Sequence, residues 1–201
     1  MELPGNDSRQ MQHQIVHYNR PVLRQKGVKL SSFDPTLSTL VQDMIQTMHA
    51  AKGIGLAAQQ IGKAIQLCVV DLSSTDIDFD WILDGAHPPA DIFMPFALIN
   101  PVITPMAGTK KEVYEEGCLS FPEIRGDVVR PDEITVHYQD QFGIPHVLRC
   151  NGLLSRCIQH ETDHLNGTLF IDRMGKKERT KVELLIKDLA AKTKQEDESP
   201  A

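Results

Sequence analysis

The pattern that most constrains this chain is a His-Glu-x-x-His sequence, His160-Glu161-Thr162-Asp163-His164. On a helix, two histidines four residues apart lie one turn apart on the same face, where both imidazoles can bind one metal ion. The glutamate between them lies beside such a site, where it can take a proton from water whose pKa the metal lowers. The alternative is an exposed polar helix with coincidental histidines, and the apolar residues that flank the motif argue against it.

Apolar periodicity predicts three helices, over 35–48, from 153 to about 167, and over 177–192. Asp34 is expected to cap the first helix, and the second helix carries the His-Glu-x-x-His motif. The last residues, 194–201, are polar and charged, so we expect a disordered tail there.

Four segments have the composition or alternation of strands: 65–72, 96–100, 133–139 and 144–150. Pro101 is expected to stop the second of them, and Gly143 is expected to turn the last two into an antiparallel hairpin. Residues 73–91 are rich in Asp, Ser, Gly and Pro, and we expect this stretch, the 73–91 excursion, to leave the core.

Length and composition indicate one soluble, folded domain. The chain has 201 residues, of which 41% are hydrophobic and 24% are charged, as is usual for globular proteins. With 21 Lys and Arg against 27 Asp and Glu, the net charge of −6 argues against sequence-specific nucleic-acid binding over the whole surface. Neither a membrane-spanning run of roughly 18 apolar residues nor a signal peptide is present in the sequence, so we expect no membrane partner and a cytoplasmic protein.

A catalytic metal site normally has three protein ligands and one open position, so a third ligand is needed. Phe170 stands where a metzincin has its third histidine, which excludes that pattern. Glu178 or Glu183 could supply a carboxylate, as in a thermolysin-like site. Cys157 lies on the motif's own helix, but about 7 Å along the axis from the metal, too far for its short side chain.

The other three cysteines differ in their surroundings. Cys68 lies in an apolar strand, where a small buried residue is the ordinary interpretation, and Cys150 closes a hairpin strand. Cys118 follows Gly117, whose missing side chain allows the backbone to approach a site closely. The residues favour Cys118 and leave the two glutamates open.

Three segments resemble the peptide deformylase family: Gly53-Ile54-Gly55-Leu56-Ala57-Ala58-Gln59-Gln60, Glu116-Gly117-Cys118-Leu119-Ser120 and Gln159-His160-Glu161-Thr162-Asp163-His164-Leu165. They occur in the family's order, and the similarity extends from about residue 15 to about residue 173. The resemblance implies an α+β fold, with antiparallel sheets packed around a central metal-binding His-Glu-x-x-His helix and with N-terminal and C-terminal helices. It implies a single catalytic domain over 1–201, with a core over about 15–173 and a C-terminal helix over 176–193.

The resemblance also implies the chemistry of the site. One divalent metal ion per chain would be bound, ferrous iron in the native enzyme with zinc, nickel or cobalt as substitutes, by Cys118, His160 and His164. Glu161 matches the family's general base and acid. The side-chain amide of Gln60 and the backbone N–H of Leu119 would stabilise the oxyanion formed when water attacks a formyl carbon.

The substrate implied by the resemblance is the N-terminal formyl-methionine of newly synthesised proteins, from which formate is released. Backbone groups around Ile54 and Gly55 would pair with the extended peptide. Ile54, Leu153 and Cys157 are the expected lining of an apolar pocket for the methionine side chain, and Arg125 matches an arginine near the pocket mouth. Each of these four side chains could equally belong to the ordinary core or surface.

Residues 176–194 hold seven Lys or Arg against three acidic residues, so this segment is basic in an acidic protein. Ribosomal RNA would attract it, and the C-terminal helix resembles an extension that some bacterial members use at the ribosome. A solvated helix face is the alternative.

Two rival functions remain open. One is an endopeptidase that uses the same helix. The other is a binding protein that has lost catalysis, and the presence of Gln60 and Glu161 argues against that loss.

Overall fold

The computed structural model describes residues 11–198. Numbered in chain order, its helices are α1 (Pro35–Ala50), α2 (Ala90–Phe93), α3 (Gly152–Leu165), α4 (Phe170–Arg173) and α5 (Lys176–Glu198). Single 3-10 turns cover Pro21–Arg24 and Ala58–Ile61. The three long helices are those that the apolar periodicity predicts, and Asp34 caps α1 by accepting the N–H groups of Thr36 and Leu37.

A six-stranded antiparallel sheet has the order β1-β2-β4-β7-β8-β3. Its strands are β1 (Gly55–Ala57), β2 (Leu67–Val70), β3 (Trp81–Leu83), β4 (Phe96–Pro105), β7 (Ile134–Gln139) and β8 (Pro145–Cys150). A separate hairpin pairs β5 (Lys111–Cys118) with β6 (Phe121–Pro131). The predicted β7–β8 hairpin is confirmed, with Gly143 at its turn in the left-handed region, φ 82°.

Helix α3 lies at the centre of this arrangement. All twelve of its residues from Leu154 to Leu165 are buried, although eight of them carry polar or charged side chains. Its apolar side chains join the main core with the inner faces of β2, β4, β7 and β8. The predicted α+β architecture, with antiparallel sheets around a central helix, is therefore the one observed.

The two long flanking helices cover different parts of the molecule. Helix α1 packs Val41, Met44 and Met48 against β1 and β2. Helix α5 packs Val182 and Ile186 into a third cluster with residues of β6 and α4. Because these side chains are buried, α5 is part of the folded body and not a detached extension.

Pro101 does not stop the second predicted strand, which continues to Pro105. The pairing of β4 with β7 shifts register between Ile99 and Val102. Pro101 lies inside that irregularity, where its missing N–H removes no regular ladder hydrogen bond. The predicted end of this strand was wrong for that reason.

The 73–91 excursion is only partly outside the core. Its residues Trp81–Leu83 form β3, which pairs with β8 at the sheet edge. Trp81 is buried in the main core, and Phe79 packs against it. The excursion is therefore tied back to the sheet at its middle.

The tail is also more regular than expected. Helix α5 continues to Glu198, so the prediction of disorder was wrong for 194–198, while 199–201 lie outside the described residues. Thr193 is buried, which holds this end of the helix against the protein.

A substitution at Gly167 tests how closely the chain packs just after the C-terminal end of α3. Its φ is +71°, and a Cβ there would lie 2.5 Å from the carbonyl oxygen of Arg24. We expect Gly167→Ala to lower the free energy of unfolding by about 2 kcal/mol or more, because backbone strain and a backbone clash add together. Urea unfolding followed by circular dichroism measures this.

Gly175→Ala is the matched control, because a Cβ at Gly175 would meet nothing within 4 Å. Its effect should stay within about 0.5 kcal/mol. Equal effects of the two substitutions would contradict the predicted close contact at Gly167.

Candidate metal centre and active site

Three side chains from two elements converge at the buried face of α3. His160 and His164 lie one turn apart on α3, and Cys118 is the last residue of β5. Their ligand atoms all lie within 4.8 Å of one another, and the Cys118 Sγ is 3.2 Å from the His164 Nε2. Among residues 11–198, this is the group of His, Cys, Asp and Glu side chains that has metal-binding geometry.

The donor set fits a divalent transition metal. A thiolate and two neutral imidazoles are ligands that zinc, iron, nickel and cobalt all accept. The His160 Nδ1 is 3.0 Å from the Glu116 carboxylate, which leaves the Nε2 to face the metal position. Such a carboxylate fixes both the tautomer and the orientation of a ligating histidine.

Glu116 belongs to a buried ionic network. Arg130 donates two hydrogen bonds to it, at 2.7 and 3.0 Å, and Arg156 donates one at 2.8 Å. Burial alone would raise the pKa of Glu116, but the hydrogen bonds from His160 and Arg130 hold that pKa well below its usual value. Glu116 therefore stays ionised throughout the physiological range.

The network continues from Glu116 to the other end of α3. Arg130 also donates to Asp163 at 2.8 Å, and Arg173 donates to the same carboxylate at 2.6 Å. The guanidiniums thereby join β6 and α4 to the helix that carries both histidines.

Glu161 is buried beside the three candidate ligands. Its carboxylate lies directly against the backbone of Gly55, in space that a Cβ at that position would fill. Burial raises the pKa of Glu161 to about 7. Within the described part of the chain its Oε2 has no hydrogen-bond partner, so this oxygen is free to receive a proton.

Gln60 is held with its amide nitrogen directed at the same place. Its Oε1 accepts the backbone N–H of Ala57 at 2.8 Å, which fixes the orientation of the amide. Its Nε2 lies 3.3 Å from the Ser120 Oγ and 3.5 Å from the Cys118 Sγ. The amide N–H groups are thus positioned beside the candidate metal position.

A cleft of about 600 Å³ opens onto this centre. It brings together nearly all of the residues singled out in the sequence: Ile54, Gly55, Gln60, Cys118, Leu119, Arg125, Leu153, Cys157, His160 and Glu161. His164 lies one turn further along α3, in contact with Cys118. The Cys157 thiol is directed at the carbonyl of Ile54, 3.4 Å away, which joins α3 to the segment before β1.

Three residues of this site, Glu116, Arg156 and Tyr114, were given no role from the sequence. Glu116 stands two positions before Cys118. A carboxylate so close in sequence to a predicted metal ligand could have indicated that it contacts the site. Arg156 and Tyr114 line the cleft, with the Arg156 guanidinium 5.3 Å from the centroid of the Tyr114 ring. Arg156 is four residues before His160, so its place on the same helix face could have been found from helical spacing.

The alternative glutamate ligands are excluded by their positions. Glu178 pairs with Lys181 and Glu183 pairs with Arg179, all on α5. Neither glutamate joins the group that has metal-binding geometry among the described residues. In the same range, 11–198, we find no helix with the length and apolar character that crossing a membrane requires.

An α+β fold whose central buried helix presents two histidines and a glutamate, with a cysteine from a neighbouring strand, defines a metal-dependent hydrolase. Comparisons with known proteins identify the family. The polypeptide deformylase family matches residues 12–180. Peptide deformylase from Opitutus terrae is 61% identical over 184 residues, which cover 92% of this chain and 96% of that protein.

Solved structures agree with the sequence comparison. Peptide deformylase from Plasmodium falciparum superposes with a TM-score of 0.77 at 34% identity, covering 90% of this chain and 97% of that one. The enzyme from Thermotoga maritima gives a TM-score of 0.70 at 36% identity, covering 82% and 99%. The chain belongs to the peptide deformylase family, and its reaction is the metal-dependent hydrolysis of the formyl amide of N-formyl-methionine in nascent peptides.

We expect Glu116→Gln to weaken metal binding by about 10- to 100-fold, because the His160 ring loses the carboxylate that orients it. Competition with a chelator of known affinity measures this, on protein whose fold is checked by circular dichroism. Glu115→Gln is the control, since Glu115 is the exposed neighbour of Glu116 on β5 and should leave metal affinity unchanged. A folded Glu116→Gln protein with wild-type metal affinity would show that the contact is only structural.

Proposed function

We propose that Cys118, His160 and His164 hold the single catalytic metal of this deformylase. The observation that carries this proposal is the approach of all three ligand atoms to within 4.8 Å beside the buried Glu161. When bound, the metal supplies a Lewis acid that lowers the pKa of water and polarises the formyl oxygen.

We propose ferrous iron as the native metal, with zinc, nickel or cobalt as functional substitutes. One thiolate and two imidazoles suit all four ions, so the donor set is compatible with this assignment and does not select among them. The resemblance to the family supports iron.

Glu161 is proposed to move the proton. As water adds to the formyl carbon, the Glu161 carboxylate takes the water proton. It then gives that proton to the nitrogen of the breaking C–N bond, so that formate and a free amino terminus leave. A carboxyl group whose pKa burial raises to about 7 can both accept and return a proton at neutral pH.

Gln60 and Leu119 are proposed to stabilise the oxyanion. The Gln60 Nε2 would donate a hydrogen bond to the formyl oxygen, together with the backbone N–H of Leu119. Such donors are effective when they are already fixed, and the contact of Gln60 with the Ala57 N–H supplies that rigidity.

The methionine side chain is proposed to enter the apolar part of the cleft. Ile54, Leu153 and Cys157 line it next to His160, and the backbone at Ile54 and Gly55 would pair with the extended peptide. Arg125 also lines the cleft, and its exposed guanidinium is 3.9 Å from the Glu115 carboxylate. It would contact the peptide beyond the methionine.

Glu161→Ala tests the assignment of the proton carrier. We expect a loss of about 10³-fold or more in kcat on a formyl-methionine peptide, with the metal content unchanged, because Glu161 moves the proton without ligating the metal. Formate release and metal analysis on the same samples measure both quantities.

Glu178→Ala is the control, because Glu178 was the alternative ligand and lies in an ion pair on α5. It should keep both metal and turnover. Substantial activity in Glu161→Ala would refute the assigned role.

We propose that α5 contacts the ribosome, and that the enzyme acts in the cytoplasm where nascent chains emerge. Lys187 on this helix is exposed, and so are Leu184 and Leu185, which leaves an apolar pair beside a basic surface. Electrostatic attraction to ribosomal RNA would bring the site close to its substrate.

Because Val182 and Ile186 are buried, removing α5 would uncover the core, so charge reversal is the cleaner test. We expect the double variant Lys187→Glu, Lys192→Glu to bind ribosomes about tenfold more weakly at low salt in a pelleting assay. The control is the double variant Lys29→Glu, Lys63→Glu, which changes the net charge by the same amount at residues outside α5. Equal binding by both variants would contradict the proposed contact.

A further inference from the structure

The first part of the 73–91 excursion forms an outer wall of the active-site cleft. Thr75 and Ile77 both line the cleft, together with Ile54 and Leu153. Neither residue belongs to a motif, and the sequence alone does not indicate that this segment lies at the cleft. Its position at the cleft comes from hydrogen bonds at its two ends.

The beginning of this wall is attached to α1. The Asp71 carboxylate lies 2.7 Å from the His49 Nε2 and accepts the backbone N–H of Ser73 at 2.9 Å. Thr75 closes a turn on the carbonyl of Leu72 through both its backbone N–H and its hydroxyl. The Thr75 hydroxyl is thereby engaged within the protein.

The end of the wall is attached to the start of α3. The Asn151 N–H donates to the Asp80 carbonyl at 3.1 Å, and the Asp80 N–H donates to the Asn151 Oδ1 at 2.7 Å. Gly152 has φ +56°, and a Cβ there would lie 3.0 Å from the Asp78 carbonyl oxygen. The backbone at 78–80 therefore lies directly against the residue that precedes Leu153.

From Ile77 to Trp81 the apolar side chains divide between the core and the cleft. Phe79 and Trp81 turn inward, with ring centroids 5.4 Å apart, and pack on the main core. Ile77 does not join a core cluster, and 46% of its surface is exposed. A large apolar side chain is thus presented to solvent at the wall of the cleft.

We propose that Ile77 is a specificity-determining residue that contacts the peptide just after its N-terminal methionine. This inference rests on the proposed function, in which the formyl carbon lies beside Glu161 and the methionine side chain lies against Leu153. The rest of the peptide would then run along the cleft, where Ile77 lies in the wall. The exposed Ile77 side chain offers an apolar contact, and the Thr75 hydroxyl already donates its proton to the Leu72 carbonyl, so this wall favours apolar residues in the peptide.

The test compares two substrates of equal length, formyl-Met-Leu-Leu-amide and formyl-Met-Ser-Ser-amide, on the metal-loaded enzyme. We expect the wild type to prefer the leucine peptide through a lower KM. Ile77→Ser should reduce that preference, the ratio of the two kcat/KM values, by about fivefold. The ratio compares two substrates on one enzyme sample, so a partial loss of folded protein does not change it.

Ile82→Ser is the matched control. Ile82 lies in the same excursion and is 43% exposed, but it is on β3 opposite Arg149 and does not line the cleft. Its ratio should equal that of the wild type. An unchanged ratio in Ile77→Ser, or an equal change in Ile82→Ser, would overturn the inference while leaving deformylation intact. A metal-loaded wild type that cleaves neither peptide would refute the proposed site roles and this inference with them.

Discussion

The structure depends on one buried carboxylate, that of Glu116. It receives hydrogen bonds from Arg130 and Arg156 and contacts the ring of His160, so it joins the β5–β6 hairpin to the central helix. Each of these groups would be costly to bury alone, and removing one partner of a buried ion pair typically costs about 3–5 kcal/mol. The position of one proposed metal ligand, His160, is thereby set by the same contact that holds two structural elements together.

This contact also explains how so polar a helix can be buried. The polar face of α3 carries Arg156, His160, Glu161 and Asp163, and the partners described above satisfy most of their hydrogen-bonding groups. The Glu161 Oε2 stays without a partner in residues 11–198, next to Gly55, whose missing side chain makes room for the carboxylate. The unsatisfied oxygen lies where the proposed reaction needs a proton acceptor, and the hydrogen bonds that stabilise the helix do not engage it.

Local patterns allowed much of this structure to be predicted from the sequence, because helical spacing places His160 and His164 together wherever the helix lies. The contact partners of Glu116 could not be predicted from the sequence, because its hydrogen bond to Arg156 joins a strand and a helix that are 40 residues apart. No periodic pattern marks such a pair. The β5–β6 hairpin was missed because only one of the eight residues of β5 is buried, so the strand lacks the buried alternation that marks a strand in a sequence. Ile77 was missed because only the attachments of its loop bring it to the cleft.

We propose that the metal held by Cys118, His160 and His164 is what makes this chain a working deformylase. The most direct measurement is formate release from a short formyl-methionine peptide by protein prepared without oxygen and loaded with ferrous iron, beside the metal-free protein. We expect formate release that depends on the metal and saturates at one ion per chain. Absence of release from a sample shown to hold one ion per chain would contradict it.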